Sequence, residues 1–217
     1  YKSYNVDLNN FHTTHSIENK ELTEHFFNSA YEKGDIYTKE IEQLFDEQKN
    51  IFLSDRFVKG ECPSCGAKDQ YGDACEVCGK TYDALDLKNP YSTLSNSEPV
   101  IKKSKHYFFK LNNFKEFLNE TVSKISNQDP IKEKLKEWFD SGLKDWDISR
   151  DEPYFGFKIP NEDSKYLYVW LDAPIGYLSS IKNWCDSNDI DFNDFINDSK
   201  IVHFIGKDIV YFHLLFW

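Results

Sequence analysis

The sequence predicts an α/β fold in which a parallel sheet is interrupted by an inserted, metal-binding segment. Two runs, 165–171 and 201–205, are apolar on both faces, as strands covered by helices on each side are, and each leads through a loop into a helical pattern. Earlier in the chain lie four closely spaced cysteines between Cys62 and Cys78, and then two amphipathic helical patterns. The middle of the chain is therefore expected to be an insertion into the sheet.

Composition excludes several classes of protein. The 217 residues are 40% hydrophobic and 29% charged, which is typical of a folded globular chain and excludes a disordered or membrane-spanning one. The net charge of −11 argues against a protein that coats nucleic acid, although a local contact with RNA stays open. The chain opens without a signal-peptide pattern and has an odd number of cysteines, so a reducing, cytoplasmic compartment is expected.

Two features lead us to expect a piece of a longer protein. The chain contains no Met, hence no initiator, and it ends in the apolar run 214–217. Natural domains seldom stop within a hydrophobic segment.

The first element is predicted to be a helix over residues 16–34. Ser16 suits the N-cap and Gly34 the C-terminal end, with Leu22, Phe26 and Ala30 at four-residue spacing as the buried face. Short irregular strands are expected within residues 36–60, from the alternating Ile51, Leu53 and Phe57.

A strand at residues 106–111 and two helices follow the cysteine segment. Asn113 is the predicted N-cap of the first helix, whose apolar side carries Phe114, Phe117, Leu118, Val122 and Ile125. Asp129 and Pro130 are the predicted N-cap and first residue of the second helix, which Gly142 ends.

The last part of the chain is predicted to return to the sheet. Strands are expected at residues 155–159, 165–171 and 201–205, with helices over residues 175–185 and after Gly206.

The cysteines form the strongest local signal. Cys62 and Cys65, then Cys75 and Cys78, make two Cys-x-x-Cys turns nine residues apart. Zinc prefers four tetrahedral thiolates at about 2.3 Å, and two such turns supply them. Since the protein fills all four positions, the metal is expected to be structural. Four unrelated buried thiols and a redox pair are the alternatives.

Three further motifs lead to a family. They are WDISRD at 146–151, VWLDAPIGY at 169–177 and HFIGKDIVYFH at 203–213. With the cysteine segment, and in this order, they resemble the methionyl-tRNA synthetases over essentially the whole chain, most densely over residues 57–111 and 138–217. The resemblance implies a class I aminoacyl-tRNA synthetase whose Rossmann-like, nucleotide-binding parallel sheet is split by a connective insertion with a zinc knuckle.

The resemblance also implies domains and a reaction. The first and second parts of the nucleotide-binding fold are expected at residues 1–33 and 159–217, with the insertion at residues 34–158. Methionine and ATP, with Mg²⁺, would give methionyl-adenylate, and the methionyl group would pass to the terminal adenosine of tRNA(Met).

By resemblance, seven residues line the methionine side-chain pocket, with the Tyr177 hydroxyl and the His213 imidazole near the sulfur. They are Trp170, Ala173, Pro174, Tyr177, Ile209, Phe212 and His213. Such residues suit a thioether, which aromatic faces and weak donors can grip. Arg150 and Asp208 match polar catalytic positions beside the pocket, and we expect them to pair.

Without the resemblance, these residues have simpler interpretations. Trp170, Ile209 and Phe212 would be core residues, His213 a partly buried histidine, and Tyr177 part of a packing cluster.

The ATP signatures of the family are expected outside residues 1–217. His12 to His15 lack the glycine of the His-Ile-Gly-His signature, and Lys102 to Lys105 precede a strand inside the insertion instead of forming the Lys-Met-Ser-Lys-Ser loop. Because both signatures stabilise the phosphates, residues 1–217 alone are expected to be inactive.

Three rival functions stay open. The chain could be a non-catalytic, zinc-stabilised module that positions a tRNA acceptor stem. It could be a rubredoxin-like electron carrier, which would absorb visible light. A synthetase for leucine, isoleucine or valine is the nearest rival, but it would need a larger insertion.

Overall fold

The computed structural model describes residues 2–125 and 129–217. Within these ranges, some side chains lie outside the described part, namely those of Lys2, Ser123, Ile125, Asp129, Pro130, Lys134 and Asp208. The chain divides into two compact units. Unit 1 consists of Tyr1–Tyr37, Tyr107–Ser149 and Gly156–Trp217, and unit 2 of Thr38–His106 and Arg150–Phe155.

Helices make up most of unit 1. The α-helices are α1 (Ile17–Glu32), α2 (Lys115–Ile125), α3 (Asp129–Ser141), α4 (Val169–Ser187), α5 (Phe192–Asn197) and α6 (Val210–Leu215). Two apolar clusters stabilise the unit, one around Phe27 and Ile148 and one around Leu118 and Leu135. No helix in the described ranges combines the length and apolar character that crossing a bilayer requires.

Helix α1 has the predicted ends but a different buried face. The Ser16 hydroxyl accepts a hydrogen bond from the N–H of Asn19 at 3.2 Å, as an N-cap does, and Gly34 follows the helix with a φ of +78°. The fully buried residues are, however, Asn19, Thr23 and Phe27, and Phe26 is exposed. The expectation for Phe26 was wrong because Asn19, which hydropathy does not favour, is buried against α4, where its amide donates to the Asp172 carbonyl.

Short strands accompany two long ones. The strands are β1 (Ile36–Asp46), β2 (Ile51–Phe52), β3 (Val58–Glu61), β4 (Gln70–Tyr71), β5 (Lys88–Ser92), β6 (Val100–Phe109), β7 (Trp146–Asp147), β8 (Ser149–Asp151) and β9 (Lys165–Leu167). Their orders are β2-β1-β6-β7, β4-β3-β5 and β8-β9. Strand β1 pairs antiparallel with β2, β3 with β4 and β5, and β6 with β7.

Unit 2 has its own small core of Leu44, Leu53, Val58 and Leu87. Leu53 is buried, whereas Phe57 is exposed. The region predicted as irregular strands contains the eleven-residue strand β1, which folds back into β2.

The predicted strand at residues 165–171 is wrong beyond Leu167. Strand β9 ends there, and helix α4 begins at Val169, six residues before the predicted helix start. A short apolar run fits a buried helix as well as a buried strand. Asp172 is an acidic residue in the first turn of α4, where the helix dipole favours a negative charge. Trp170 therefore lies on the first turn of α4 and not at the end of a strand.

The predicted strand at residues 201–205 is also wrong. These residues pair with no strand in the described ranges. Phe204 is 94% exposed and Val202 62%. An apolar segment forms a sheet only where neighbouring strands accept its backbone hydrogen bonds. The predicted parallel sheet is thus not formed by these two runs.

The helical pair after strand β6 is close to the prediction. Helix α2 begins at Lys115, after a 3-10 turn over Leu111–Phe114, and Gly142 follows α3 with a φ of +86°. Leu118 is buried, but Phe117 is 64% exposed, which contradicts its predicted place on the apolar side. The predicted cap Asp129 has its side chain outside the described residues.

Candidate aromatic pocket and metal centre

The first turn of α4 and the helix α6 bring aromatic side chains together in unit 1. The rings of Trp170 and Phe212 stack with centroids 4.1 Å apart and planes within 3°. The His213 ring lies 5.7 Å from Trp170 and nearly perpendicular to it. We call Trp170, Tyr177, Phe212 and His213 the aromatic cluster. Four of the seven predicted pocket residues are thereby in one place.

Both ring nitrogens of His213 make hydrogen bonds at the edge of the aromatic cluster. The Nδ1 of His213 lies 2.9 Å from the carbonyl oxygen of Ile209, which can only accept, so Nδ1 carries a proton. In the neutral ring Nε2 is then an acceptor, and the Tyr177 hydroxyl donates to it at 2.8 Å. Because His213 is buried, this bond satisfies a nitrogen that water does not reach. These two bonds fix the orientation of the Tyr177 hydroxyl and of the His213 ring.

The other three predicted pocket residues are close to the aromatic cluster in the chain. They are Ala173, Pro174 and Ile209. Pro174 is buried inside α4 and lacks the N–H that would bond to the carbonyl of Trp170, four residues earlier. Ala173 is half-buried beside it, and Ile209 contributes its carbonyl to His213. Their predicted contact with methionine stays a prediction.

Several aromatic neighbours had no role in the sequence analysis. His203 lies edge-to-face with Tyr177 at 4.6 Å, and the indole N–H of Trp217 donates to His203 at 3.1 Å. Trp146 stacks on Phe216 at 3.9 Å. His203 lies within a motif quoted above, so the signal was present, but nothing in its spacing tied it to Tyr177.

The polar candidates Arg150 and Asp208 belong to different units. Arg150 is half-buried in β8 of unit 2. Burial and then Asp73 raise the pKa of Asp55, and Arg150 partly offsets that rise. Asp208 lies in the 3-10 turn Lys207–Ile209, and its side chain is outside the described residues. Their predicted pairing stays a prediction.

A buried polar cluster lies where α1 packs against α4. The amide N–H₂ of Asn19 donates to the carbonyls of Thr14 and Asp172, at 2.8 and 3.3 Å. Among the described residues, three buried oxygens have no hydrogen-bond partner: Asn19 Oδ1, Thr23 Oγ1 and Asp172 Oδ1. Burial raises the pKa of Asp172 to about 6, although its own N–H and that of Ala173 favour the charged form.

Two nearly identical turns hold the four cysteines in unit 2. The N–H of Gly66 bonds to the carbonyl of Cys62, and that of Gly79 to the carbonyl of Cys75. Both glycines have positive φ, +75° and +72°, which an L side chain rarely adopts. Each turn thus repeats the same backbone path around its first cysteine.

The sulfurs suit a tetrahedral metal ion. All four lie within 4.8 Å of one another, with Cys62 Sγ 3.8 Å from Cys78 Sγ and Cys65 Sγ 3.6 Å from Cys75 Sγ. Zinc–sulfur bonds of about 2.3 Å in a tetrahedron place sulfurs about 3.8 Å apart. The N–H of Cys65, assisted by that of Ser64, outweighs burial and lowers the pKa of the Cys62 thiol to about 6. The four cysteine side chains are therefore close enough together to hold a metal ion.

An open space in unit 1 lies outside the aromatic cluster. A groove of about 850 Å³ lies between the start of α1 and residues 156–163. Lys20, Lys158 and Glu24 are among its lining residues, so its charges are mixed, and no predicted pocket residue lines it.

Comparison with known proteins identifies relatives along the whole chain. The family described as tRNA synthetases class I (M) matches residues 1–217. Curated relatives include the methionine–tRNA ligase of Psychrobacter sp. (strain PRwf-1), 52% identical over the whole chain and 34% of its own length, and that of Vesicomyosocius okutanii, 51% identical over the whole chain and 40% of its own length. The chain thus spans between about a third and two fifths of these relatives.

Solved structures share the fold at low identity. The methionyl-tRNA synthetase of Mycobacterium tuberculosis, in complex with methionyl-adenylate, matches with a TM-score of 0.64 at 18% identity, over the whole chain and 38% of that protein. Its free form matches with a TM-score of 0.63. At this identity the likeness shows the fold alone.

Proposed function

The chain belongs to the class I (M) family of tRNA synthetases, and from this premise we propose that it is the part of a methionyl-tRNA synthetase that recognises the methionine side chain. The complete enzyme would join methionine to the α-phosphate of ATP, release pyrophosphate and transfer the methionyl group to tRNA(Met). The observation that carries the proposal is the meeting of Trp170, Phe212, Tyr177 and His213. The curated relatives, which are named methionine–tRNA ligases, support the same amino acid.

The chemistry of the aromatic cluster suits a linear thioether. Trp170 and Phe212 offer polarisable faces, and sulfur makes favourable contacts with aromatic rings. The Tyr177 hydroxyl marks one polar point at the cluster edge. An unbranched amino acid of equal length without sulfur would lose only the contacts between the sulfur and the rings.

The remaining substrate groups would be handled by polar residues. The family resemblance implies that Arg150 and Asp208 match polar catalytic positions, and we propose that they orient the head group of the substrate or the adjoining loop. ATP, with Mg²⁺, would bind through the signatures expected outside residues 1–217. The described residues would therefore contribute binding of the side chain and not stabilisation of the phosphates.

The metal held by the four cysteines is proposed to be zinc with a structural role. When bound, zinc would cross-link the two turns and leave no open position for another ligand, since four thiolates complete its tetrahedron. The separate compact unit of residues 38–106 and 150–155 supports an insertion within residues 34–158. All five cysteines are free, which suits the cytoplasm proposed for the enzyme.

A second candidate function concerns unit 2 by itself. Arg56 and Lys59 lie 5.4 and 4.4 Å from the centre of the Tyr71 ring. Cations around a flat ring are the groups that bind a nucleic-acid backbone and its bases. This surface favours a second function for unit 2, in which it positions the tRNA acceptor stem. In the complete enzyme this function would accompany methionine activation. It would be the chain's main function only if the complete protein did not activate methionine.

Methionine-dependent exchange between ATP and pyrophosphate tests the proposal. The complete gene product containing residues 1–217 is expected to show exchange that requires methionine, and residues 1–217 alone none. Leucine, isoleucine and valine serve as matched amino acids and should not support it. Exchange driven best by one of those three would refute the proposed substrate. Vigorous exchange by residues 1–217 alone would refute the proposal that ATP binding needs signatures outside these residues.

A further inference from the structure

We propose that His203 is a positioning residue of the methionine pocket, which keeps the Tyr177 hydroxyl directed at His213. The inference rests on the proposed function, because it concerns how that enzyme recognises a thioether. His203 lies in the extended segment 201–206, which pairs with no strand in the described residues. Side-chain contacts are therefore what can fix its place.

The contact with Trp217 fixes the protonation state of His203. The indole N–H of Trp217 lies 3.1 Å from His203 Nε2 and can only donate, so Nε2 must offer a lone pair. His203 is then neutral, with its proton on Nδ1. Burial, followed by the nearby His213, lowers the pKa of His203, which agrees with this state.

The neutral ring of His203 forms one wall of the site that holds Tyr177. The two ring centres are 4.6 Å apart at an angle of 67°, an edge-to-face contact. Tyr177 is 36% exposed, so part of the residue is accessible to solvent. Trp217 contacts the Tyr177 ring less closely, at 6.0 Å. His203 is thus the nearest aromatic neighbour that limits rotation of Tyr177.

Loss of that wall would act through the hydrogen bond of Tyr177. Its hydroxyl donates to His213 Nε2, whose other nitrogen is committed to the Ile209 carbonyl. If Tyr177 turned towards solvent, the buried Nε2 would lose its partner and the polar edge of the pocket would lose its direction. The consequence falls on methionine, whose sulfur faces this edge in the proposed function, and not on ATP.

A double-mutant cycle in the complete enzyme tests the proposal. Methionine-dependent ATP–pyrophosphate exchange is measured for His203→Ala, Tyr177→Phe and the double variant. We expect His203→Ala to raise the KM for methionine about tenfold, with kcat and the KM for ATP changed less than about threefold. In the Tyr177→Phe background the same change should add less than about twofold, because the hydroxyl it positions is gone.

A matched control and a second variant keep the test decisive. His25 is an exposed histidine on α1, and His25→Ala should leave every constant unchanged. If His203→Ala yields no folded enzyme, His203→Phe takes its place, because it keeps the ring against Tyr177 and removes only the acceptor of Trp217. A rise of about threefold in the KM for methionine is then expected.

Three results would overturn the role of His203. They are an unchanged KM for methionine in the substituted enzyme, effects of His203→Ala and Tyr177→Phe that simply multiply, and an equal rise in the KM for ATP. Absence of methionine-dependent exchange in the unsubstituted enzyme is a different failure, which refutes the proposed function.

Discussion

Each compact unit contains a buried aspartate, and the surroundings of the two are opposite. Asp46 in unit 2 accepts hydrogen bonds from the N–H groups of Gln48 and Lys49, at 2.9 and 3.0 Å, and from the Ser95 hydroxyl at 2.5 Å. Burial by itself would raise its pKa, but these donors, with Ser92, outweigh it and lower the pKa to about 2.

Asp172 in unit 1 has one oxygen without a partner among the described residues, and burial raises its pKa to about 6. It lies two residues after Trp170, on the first turn of helix α4. A buried carboxylate without enough donors costs stability. Asp46 in unit 2 thus has hydrogen-bond donors for both carboxylate oxygens. Among the described residues, the buried side-chain oxygens that have no hydrogen-bond partner all belong to unit 1.

The largest expected effect is loss of the metal from unit 2. Cys75→Ala should remove zinc binding and unfold the two cysteine turns, because structural zinc contributes on the order of 10 kcal/mol to small folds that depend on it. Metal analysis and hydrogen exchange would show no bound zinc and loss of protection confined to unit 2.

Cys185→Ala is the matched control, since Cys185 is a buried cysteine in unit 1 outside the four-cysteine cluster. It should retain the metal. A Cys75→Ala protein with one zinc per chain would contradict the proposed ligand set.

The next effect concerns the aromatic cluster of unit 1. Trp170→Ala removes the ring stacked on Phe212 and should raise the KM for methionine about 10- to 100-fold, or about 1.4–2.8 kcal/mol, in the complete enzyme. Trp184→Ala is the control, because Trp184 lies on the same helix and contacts Phe195 instead. Similar KM values for the wild type and Trp170→Ala would show that Trp170 is only a core residue.

The smallest effect separates the two aspartates by pH. Asp172 has a raised pKa, so the folded state holds its proton more tightly, and its contribution to the free energy of unfolding should increase as pH falls from about 6 to about 4. Asp172→Asn removes this contribution. The difference between the two proteins should change by on the order of 1 kcal/mol between pH 7 and 4.5, after allowance for solvent screening.

Asp46 should show the opposite sign at lower pH. Its lowered pKa stabilises the folded state above about pH 4, and this contribution is lost as pH falls towards 2. Glu18 of unit 1 also has a pKa lowered to about 2, but it cancels when wild type and Asp46→Asn are compared. Urea unfolding at several pH values measures both differences. If the free energy of unfolding changed equally with pH in the wild type and in both Asn variants, the proposed contrast between the two aspartates would be wrong.

Helix ends and metal ligands were predictable because their signals are local. The Ser16 cap and Gly34 act on the backbone within one turn, and the structure confirms both. The buried face of α1 was not predictable, because Asn19 is buried by its contact with α4, a helix far away in the sequence. Hydropathy favoured Phe26, which the structure leaves exposed.

Long-range partners explain why residues 168–171 and 201–205 do not form the predicted strands. Residues 165–171 and 201–205 have the composition of covered strands, but composition does not say which backbone will pair with them. The run starting at Val169 became helical, and Phe204 stayed exposed. The motif resemblance found Trp170, Tyr177 and His213, whereas the contact of His203 with Tyr177 joins two distant segments and left no local pattern.

The sequence by itself determined the four-cysteine centre and the family, since the ligands and their glycines lie within two short turns and the motifs are linear. Only the tertiary structure decided which aromatic rings meet at Trp170, which protons His203 and His213 carry, and which aspartate is left without donors. These depend on the approach of segments far apart in the chain, where burial and hydrogen-bond geometry, and not local preference, set the free energy.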